Sequence, residues 1–369
     1  MPTSYLFILG RTPELGFAEL RSFFPDAQLV NPDIARITME KEFSAVATIT
    51  KLGGTVKIAR ELGTISAVTA VELRNFLPTR SQEIHFGVSM YGSVLPGSLL
   101  TEMKKLLEQK GMRARYASVR HGETLSSVTV DKQHITELIV VKTTQGYVVG
   151  VTLALQPYEA WGKRDYGRPH ADPKSGMLPP KVARMLVNIA GKGGRLLDPF
   201  CGMGTILAEA SLVGWTVYGS DLDAGTVTKA KANLDWLKTQ ATVFSSDATH
   251  VSEHILERSI DAIVTEPYMG ATSIANDTQA DVVHIKNIIK GLEKLYIGCL
   301  RDWAKILVAG GVVVIALPEY AIGARVYFVK KVIDMCKSLG YTTLVGPIAY
   351  GRPYATVKRN FYIFQYGTR

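Results

Sequence analysis

Four acidic residues, Asp198, Asp221, Asp247 and Glu266, each close a short apolar run in the C-terminal half of this 369-residue chain. An acid at the tip of a buried strand can accept hydrogen bonds from a ligand lying across the carboxyl edge of a parallel sheet. The first run, ending at Leu197, leads through Asp198 into Pro199-Phe200-Cys201-Gly202-Met203-Gly204-Thr205, after which a helix is expected from Ile206 to Val213. The two glycines of that loop let the backbone approach a ligand closely. Asp221 follows Gly202 by 19 residues, a spacing at which an acid accepts from both hydroxyls of a ribose.

Two ligand classes carry a free ribose there, a dinucleotide and S-adenosylmethionine. A dinucleotide loop has a third glycine where this chain has Leu207, and Asp198 would face a pyrophosphate with like charge. A carboxylate at that point suits the ammonium of a methionine moiety instead. The plainer reading of Asp198 is a cap for the next helix. Asp247, after Thr242 to Phe244, is placed to accept the adenine amino hydrogen or, equally simply, to cap a turn.

The fourth run, Asp261 to Val264, ends in Thr265-Glu266-Pro267-Tyr268-Met269-Gly270. A conjugated amine is a poor nucleophile until its lone pair is turned toward the electrophile, which requires an acceptor for the amino hydrogens and an aromatic face for the base. Glu266, the Pro267 carbonyl and Tyr268 are the candidates for those parts. The alternative is a strand-end turn with a buried tyrosine.

The elements that must position these residues read as alternating helix and strand beyond Pro180, the pattern of a doubly wound α/β sheet. The chain ends in two strands, Thr342 to Pro347 and Asn360 to Gln365, read as a closing antiparallel hairpin. Upstream, Tyr5 to Leu9 reads as a strand, followed by a helix with Thr12 at its N-cap and Pro13 at the first helical position. Similar alternation continues to Phe76, giving a first α/β domain over residues 1–78. After a polar break, a strand at Ile84 to Tyr91, a helix at Leu99 to Lys110 and a hairpin turning at Thr143 to Gly146 make a second α/β unit, 79–157.

Residues 158–178 read as an interdomain linker, because prolines and glycines break the stretch from Pro157 to Pro180 too often for regular structure. Lys163, Arg164, Arg168 and Lys174 make it basic, and Tyr158, Trp161 and Tyr166 add rings that can stack on unpaired bases. Those rings can equally pack against the neighbouring domains. The remaining domain is 179–369. Arg352 and Arg359, in an acid-free stretch near the end, complete the set expected to meet phosphates.

Composition agrees with this organisation. A hydrophobic fraction of 47% against 20% charged residues suffices for buried cores, and the net charge of +9 favours a polyanionic partner through counterion release. No run of about 18 apolar residues suggests a membrane span, and the start lacks a secretory signal, so a cytoplasmic protein is expected. The three cysteines, Cys201, Cys299 and Cys336, have no ligand spacing, so neither a disulfide framework nor a metal site is expected.

These residues resemble the class I S-adenosylmethionine methyltransferases, and more narrowly the THUMP-domain tRNA guanosine N2-methyltransferase family. Leu197 to Thr205 is similar to that family's LDPFCGxGT loop. Arg164 to Pro169 resembles its RDYxRP signature, and Gly176 to Lys181 its GxLPPKLA signature. The resemblance covers nearly the whole chain and implies a Rossmann-like methyltransferase domain behind an N-terminal α/β region containing a THUMP-like RNA-binding module. It implies that Asp198, Phe200, Gly202, Gly204, Thr205, Asp221, Leu222, Asp247 and Ala248 line an S-adenosylmethionine pocket, and that Glu266, Pro267 and Tyr268 act on the amine. It further implies tRNA as partner and, as in some relatives, a small activating subunit.

The sequence departs from the family at one place. The usual TDPPYG is TEPYMG here, with Glu for Asp, one proline fewer and the aromatic one position early. Two rival functions follow: an RNA-binding scaffold of the same fold with weakened catalysis, and a DNA amino-methyltransferase, against which the THUMP-like half argues.

Overall fold

The computed structural model describes residues 2–40, 43–78, 82–118, 124–171, 177–270, 279–322, 325–351, 355 and 357–367. They form two compact units, residues 1–161 and 162–369.

The first unit is built on one eight-stranded sheet. Its strands are β1 (Thr3–Leu9), β2 (Gln28–Asn31), β3 (Ile34–Met39), β4 (Thr55–Ile65), β5 (Glu83–Tyr91), β6 (Arg113–Ala117), β7 (Thr136–Thr143) and β8 (Gly146–Leu155), in the order β2-β3-β1-β4-β8-β7-β5-β6. Helices α1 (Pro13–Phe23), α2 (Ala45–Ile49), α3 (Ala70–Arg74), α4 (Leu99–Glu108) and α5 (Ser127–Lys132) connect them. Alternation in β1 divides its side chains between two cores: Tyr5, Phe7 and Leu9 join Leu20 of α1 and Ile49 of α2, while Leu6 and Ile8 pack with Ile139, Val141 and Val148. The sheet is continuous across residue 78, because β4 is long enough to pair with β8 from Lys57 opposite Leu155 to Ile65 opposite Tyr147. A buried polar knot ties the centre of this sheet: Lys57 pairs with Glu137, which also accepts from Ser89 at 2.5 Å and Thr152 at 2.6 Å.

Where an irregular linker was expected, the chain first forms helix α6 (Tyr158–Tyr166). Pro157 and Gly167 stand just outside it and Gly162 alone lies within, so the breakers delimit the helix rather than prevent it.

The second unit is also built on an eight-stranded sheet, in the order β11-β10-β9-β12-β13-β16-β15 with β14 (Arg325–Phe328) paired to β13 off this path. Strands β9 (Arg195–Asp198), β10 (Thr216–Asp221), β11 (Thr242–Ser245), β12 (Ile260–Thr265) and β13 (Leu307–Ile322) run parallel. The closing hairpin expected from the sequence is present as β15 (Tyr341–Tyr350) and β16 (Val357–Tyr366), antiparallel to each other and to β13. Helices α7 (Pro180–Ile189), α8 (Thr205–Leu212), α9 (Ala224–Trp236), α10 (Gln279–Ile306) and α11 (Lys330–Cys336) complete the unit. Leu197, Ile263, Val313 and Ile315 of the central strands pack with Tyr296, Leu300 and Trp303 of α10 in its core. Strand order reverses between β9 and β12, and the carboxyl edge beside such a switch is where open α/β sheets bind ligands.

Candidate functional site

All four strand-end acids lie along this edge. Asp198 closes β9 and is 1% exposed. Its Oδ1 accepts from the Thr265 hydroxyl at 2.7 Å and the Phe200 N–H at 3.1 Å, while Oδ2 receives no hydrogen bond from a described residue. Burial pushes its carboxyl up to about 7, against the effect of those two donors, and the nearby Asp221 and Glu266 push the same way. A buried acid with one empty oxygen and no cation beside it among the described residues fits an incoming ammonium.

The loop after Asp198 is shaped by glycines at positive φ, +50° at Gly202 and +81° at Gly204, the latter opening α8. A side chain at Gly202 would project into open space, so the loop leaves room above the strand tips. Helix α8 and β10 approach closely through a different glycine from the one a dinucleotide fold uses. A Cβ at Gly219 would lie 2.5 Å from Leu207 Cδ1, so the small residue has moved from the helix to the strand.

Asp221 accepts from the Gly202 N–H at 3.1 Å and the Asp223 N–H at 3.1 Å, one on each oxygen, which anchors the loop and leaves a further lone pair on each for ribose hydroxyls. Leu222 beside it is 75% exposed, an apolar surface suited to a nucleoside. Asp247 takes both Thr249 donors at 2.8 Å on Oδ1 and keeps Oδ2 open; these bonds hold its carboxyl below the usual range. The turn-capping reading of Asp247 is thus realised on one oxygen, whereas Asp198 caps no helix: α8 has Gly204 at its N-cap without a side-chain bond, and the Asp198 bond to the Phe200 N–H lies within the loop. Ala248 is buried, its carbonyl held by Trp303 at 3.0 Å, and Phe200 is half-buried against the core.

Glu266 stands just beyond β12, next to Asp198 in the sheet order. Its Oε1 accepts from Arg359 Nε at 2.5 Å, and its side chain is 17% exposed. Burial pushes its carboxyl up, opposed by the Arg359 charge and hydrogen bond. Pro267 is buried, whereas Tyr268 is 62% exposed, not the buried ring of the alternative reading. The phenols of Tyr296 and Tyr320 donate to the carbonyls of Tyr268 and Met269, fixing the turn from α10 and β13. Gly270, at φ +82°, leaves the space that the Tyr320 hydroxyl needs.

The expected phosphate-binding cations divide. Lys163 is exposed, its ammonium 5.4 Å from the Trp236 ring centre, and Tyr166 is 86% exposed. Arg164 and Arg184 both pair with the buried Glu209 of α8, each at 2.7 Å. Arg168 donates to the Thr205 hydroxyl at 2.7 Å, and Arg359 pairs with Glu266. Asn233 of α9 adds bonds to the carbonyls of His170 and Met203, both 2.9 Å. The basic signature after Tyr158 therefore buttresses the glycine loop and α8. Lys174 and Arg352 lie outside the described residues. The sequence reading also carried the phosphate-contacting region on to Arg184, which is instead buried against Glu209; it missed Glu209, for which an acid inside the apolar run Ile206 to Ala210 was the available signal.

Residues 168–280 match the UPF0020 family, described as an RMKL-like methyltransferase domain. That segment of the second unit is similar to a methyltransferase domain. Relatives of this chain include the tRNA (guanine(10)-N2)-dimethyltransferase of Methanothermobacter thermautotrophicus, 37% identical over 158 residues, which are 42% of this chain and 43% of that protein. The Pyrococcus abyssi protein of the same name is 30% identical over 205 residues, 55% of this chain and 52% of its own. The chain thus spans about half the length of these curated relatives. Among solved structures, TrmN from Thermus thermophilus shares the fold with a TM-score of 0.58 at 18% identity, covering 99% of this chain and 100% of that one. Among the described residues no helix is long and apolar enough to cross a membrane, and no cluster of three or more His, Cys, Asp or Glu side chains could hold a metal.

Proposed function

We propose that the protein is a cytoplasmic S-adenosylmethionine-dependent methyltransferase acting on the exocyclic N2 amine of a guanosine in tRNA. The observation that carries this reading is the pairing of two strand tips at the switch point: Asp198, buried with an oxygen open for a cation, beside Glu266-Pro267-Tyr268, with an acceptor and an exposed ring. The names of the relatives supply the substrate class.

In this reading Asp198 holds the methionine ammonium, Asp221 the ribose hydroxyls and Asp247 the adenine amino group, with Leu222 against the nucleoside and Phe200, Gly202, Gly204, Thr205 and Ala248 forming the rest of the pocket. The cofactor supplies an electrophilic methyl group on a sulfonium. Tyr268 stacks the extruded base, while Glu266 and the Pro267 carbonyl accept the amino hydrogens and turn the lone pair toward the methyl. The N2–C bond forms as the C–S bond breaks, S-adenosylhomocysteine departs, and the surplus amine proton is lost to water. No strong base is needed, because the amine becomes acidic as its bond to the methyl forms.

On the RNA side, residues 79–157 serve as the THUMP-like module, and Lys163 with Tyr166 offer a cation and a ring to the strand. The test is incubation with labelled S-adenosylmethionine and bulk tRNA, alone and with cell extract to supply any activating subunit, followed by digestion to nucleosides. Label in N2-methylated guanosine is expected. Label in methyladenosine, or tight tRNA binding without label, would overturn the assignment in favour of another amine or of a scaffold.

A further inference from the structure

Arg359 sits on β16, two strands away from β12 in the sheet, since β13 lies between them. Its main chain pairs with Pro318 of β13 on one side and Tyr350 of β15 on the other. From there the guanidinium reaches past β13 to Glu266, Nε to Oε1 at 2.5 Å, while its carbon stands 5.9 Å from the centre of the Tyr350 ring. The cation is therefore fixed by backbone register and by a ring before it meets the acid. Glu266 Oε2 receives no hydrogen bond from a described residue, so the pair leaves one oxygen free at the strand tip.

We propose that Arg359 is a positioning residue for the transfer: it clamps one oxygen of Glu266, keeps that side chain anionic, and thereby presents the other oxygen to the substrate amine as an acceptor. This rests on the amine-methyltransferase reading of the site. It also accounts for the substitution of Glu where the resembling family has Asp. The longer arm spans to a partner on β16 and still reaches beyond its own strand.

The described groups whose charge bears on Glu266 are Arg359 of β16, Asp198 of β9 and the Tyr296 phenol of α10; Arg359 alone among these is cationic. Neutral Glu266 would put a proton donor where an acceptor is required, so activity rises with pH as Glu266 ionises. Removing the cation moves that rise to higher pH.

The experiment compares wild type with R359M and R359K in kcat and KM for S-adenosylmethionine across pH. In parallel, the ionisation of Glu266 is followed by infrared spectroscopy of carbon-13 glutamate-labelled protein, with E266Q identifying the band. R359M is expected to lower kcat at neutral pH on the order of 100-fold, to shift the acidic limb and the Glu266 titration upward, and to leave S-adenosylhomocysteine affinity unchanged. R359K keeps the charge without the fixed Nε–H, so kcat should fall while the limb stays, which separates orientation from charge even if R359M folds poorly. Wild-type kcat and pH profile in both variants would overturn the proposal, as would an identical Glu266 titration in wild type and R359M. The infrared result does not depend on turnover: an upward shift in R359M supports the clamp even if tRNA proves not to be the substrate.

Discussion

The acids along the cofactor edge differ from the buried acids elsewhere in how their oxygens are used. Glu137 and Glu209 are both enclosed, and the protein gives each a cation: Lys57 to Glu137, Arg164 and Arg184 to Glu209. Glu19, also buried, takes a backbone N–H on each oxygen, from Gly53 at 2.7 Å and Gly54 at 2.8 Å. Asp198 is as deeply buried, yet both of its donors fall on one oxygen. Leaving a buried carboxylate half-satisfied is costly, and the rise of its carboxyl to about 7 is the form that cost takes. Each oxygen of these structural acids has a charged or hydrogen-bonding partner, whereas one oxygen of Asp198 has none among the described residues and is the one proposed above to receive the ligand's ammonium.

The sharpest way to break the comparison is D198N, which keeps the shape and the Thr265 contact but removes the charge. Loss of one partner from a buried charge pair costs roughly 2 to 5 kcal/mol, so S-adenosylhomocysteine affinity measured by calorimetry should fall by more than about tenfold, with kcat for tRNA falling in step at subsaturating cofactor. The pH signature has a definite sign. Asp198 titrates near 7 in the free protein, and a bound ammonium favours its carboxylate; binding to wild type at neutral pH should therefore release protons, with affinity rising as pH passes through that range, and D198N should show neither effect. Because the folded-state value lies above the ordinary 3.8, the wild-type free protein loses stability as pH rises between the two, and D198N should unfold at higher temperature than wild type above pH of about 7. Equal affinity and equal proton release in the two proteins would place the cofactor elsewhere.

The gathering of these acids along one sheet edge was legible in the sequence because each acid ends its own strand and the glycines sit at fixed offsets in the same loop; local order along the chain carries that information. The two flanking structural cations were misread for the opposite reason. Arg164 and Arg168 lie in a run that looks solvent-facing, and nothing local to them announces that Glu209 and Thr205 of α8 will be their neighbours, 45 and 37 residues away. Arg359 and Glu266 are separated by 93 residues, so their pairing is a product of the β13-β16 register. The fold divides in the same way. The closing hairpin and the parallel order follow from apolar runs and turns, whereas the continuity of the first sheet across residue 78 depends on β4 meeting β8, a long-range pairing that strand propensity alone does not specify.

An effect on stability rather than on binding comes from the satisfied side of the comparison. E209Q leaves Arg164 and Arg184 enclosed with only a neutral partner; breaking a buried pair by removing one member typically costs about 3 to 5 kcal/mol, and a denaturant titration of the whole chain should show the midpoint falling without a comparable change in S-adenosylhomocysteine affinity once folded. If E209Q instead weakens cofactor binding as much as D198N does, the two acids are not different in kind, and the distinction between structural and ligand-facing carboxylates fails.

The smallest expected effect tests packing without charge. At the crossing of α8 and β10, a Cβ on residue 219 would meet Leu207 Cδ1 at 2.5 Å and Cδ2 at 2.9 Å, and Leu207 is fully buried. G219A therefore overpacks the crossing, at about 1 to 3 kcal/mol, while L207A opens a cavity worth roughly 2 to 5 kcal/mol. Since the methyl added by one occupies the space vacated by the other, the double variant should be more stable than the sum of the single losses allows, an interaction of about 0.5 to 3 kcal/mol read from a double-mutant cycle in denaturant. Cofactor affinity should change little in all three, because Asp198, Asp221 and their loop contacts are untouched. Strict additivity would mean that the glycine on β10 does not replace the third glycine of a dinucleotide loop, and the helix–strand approach beneath the cofactor edge would need another explanation.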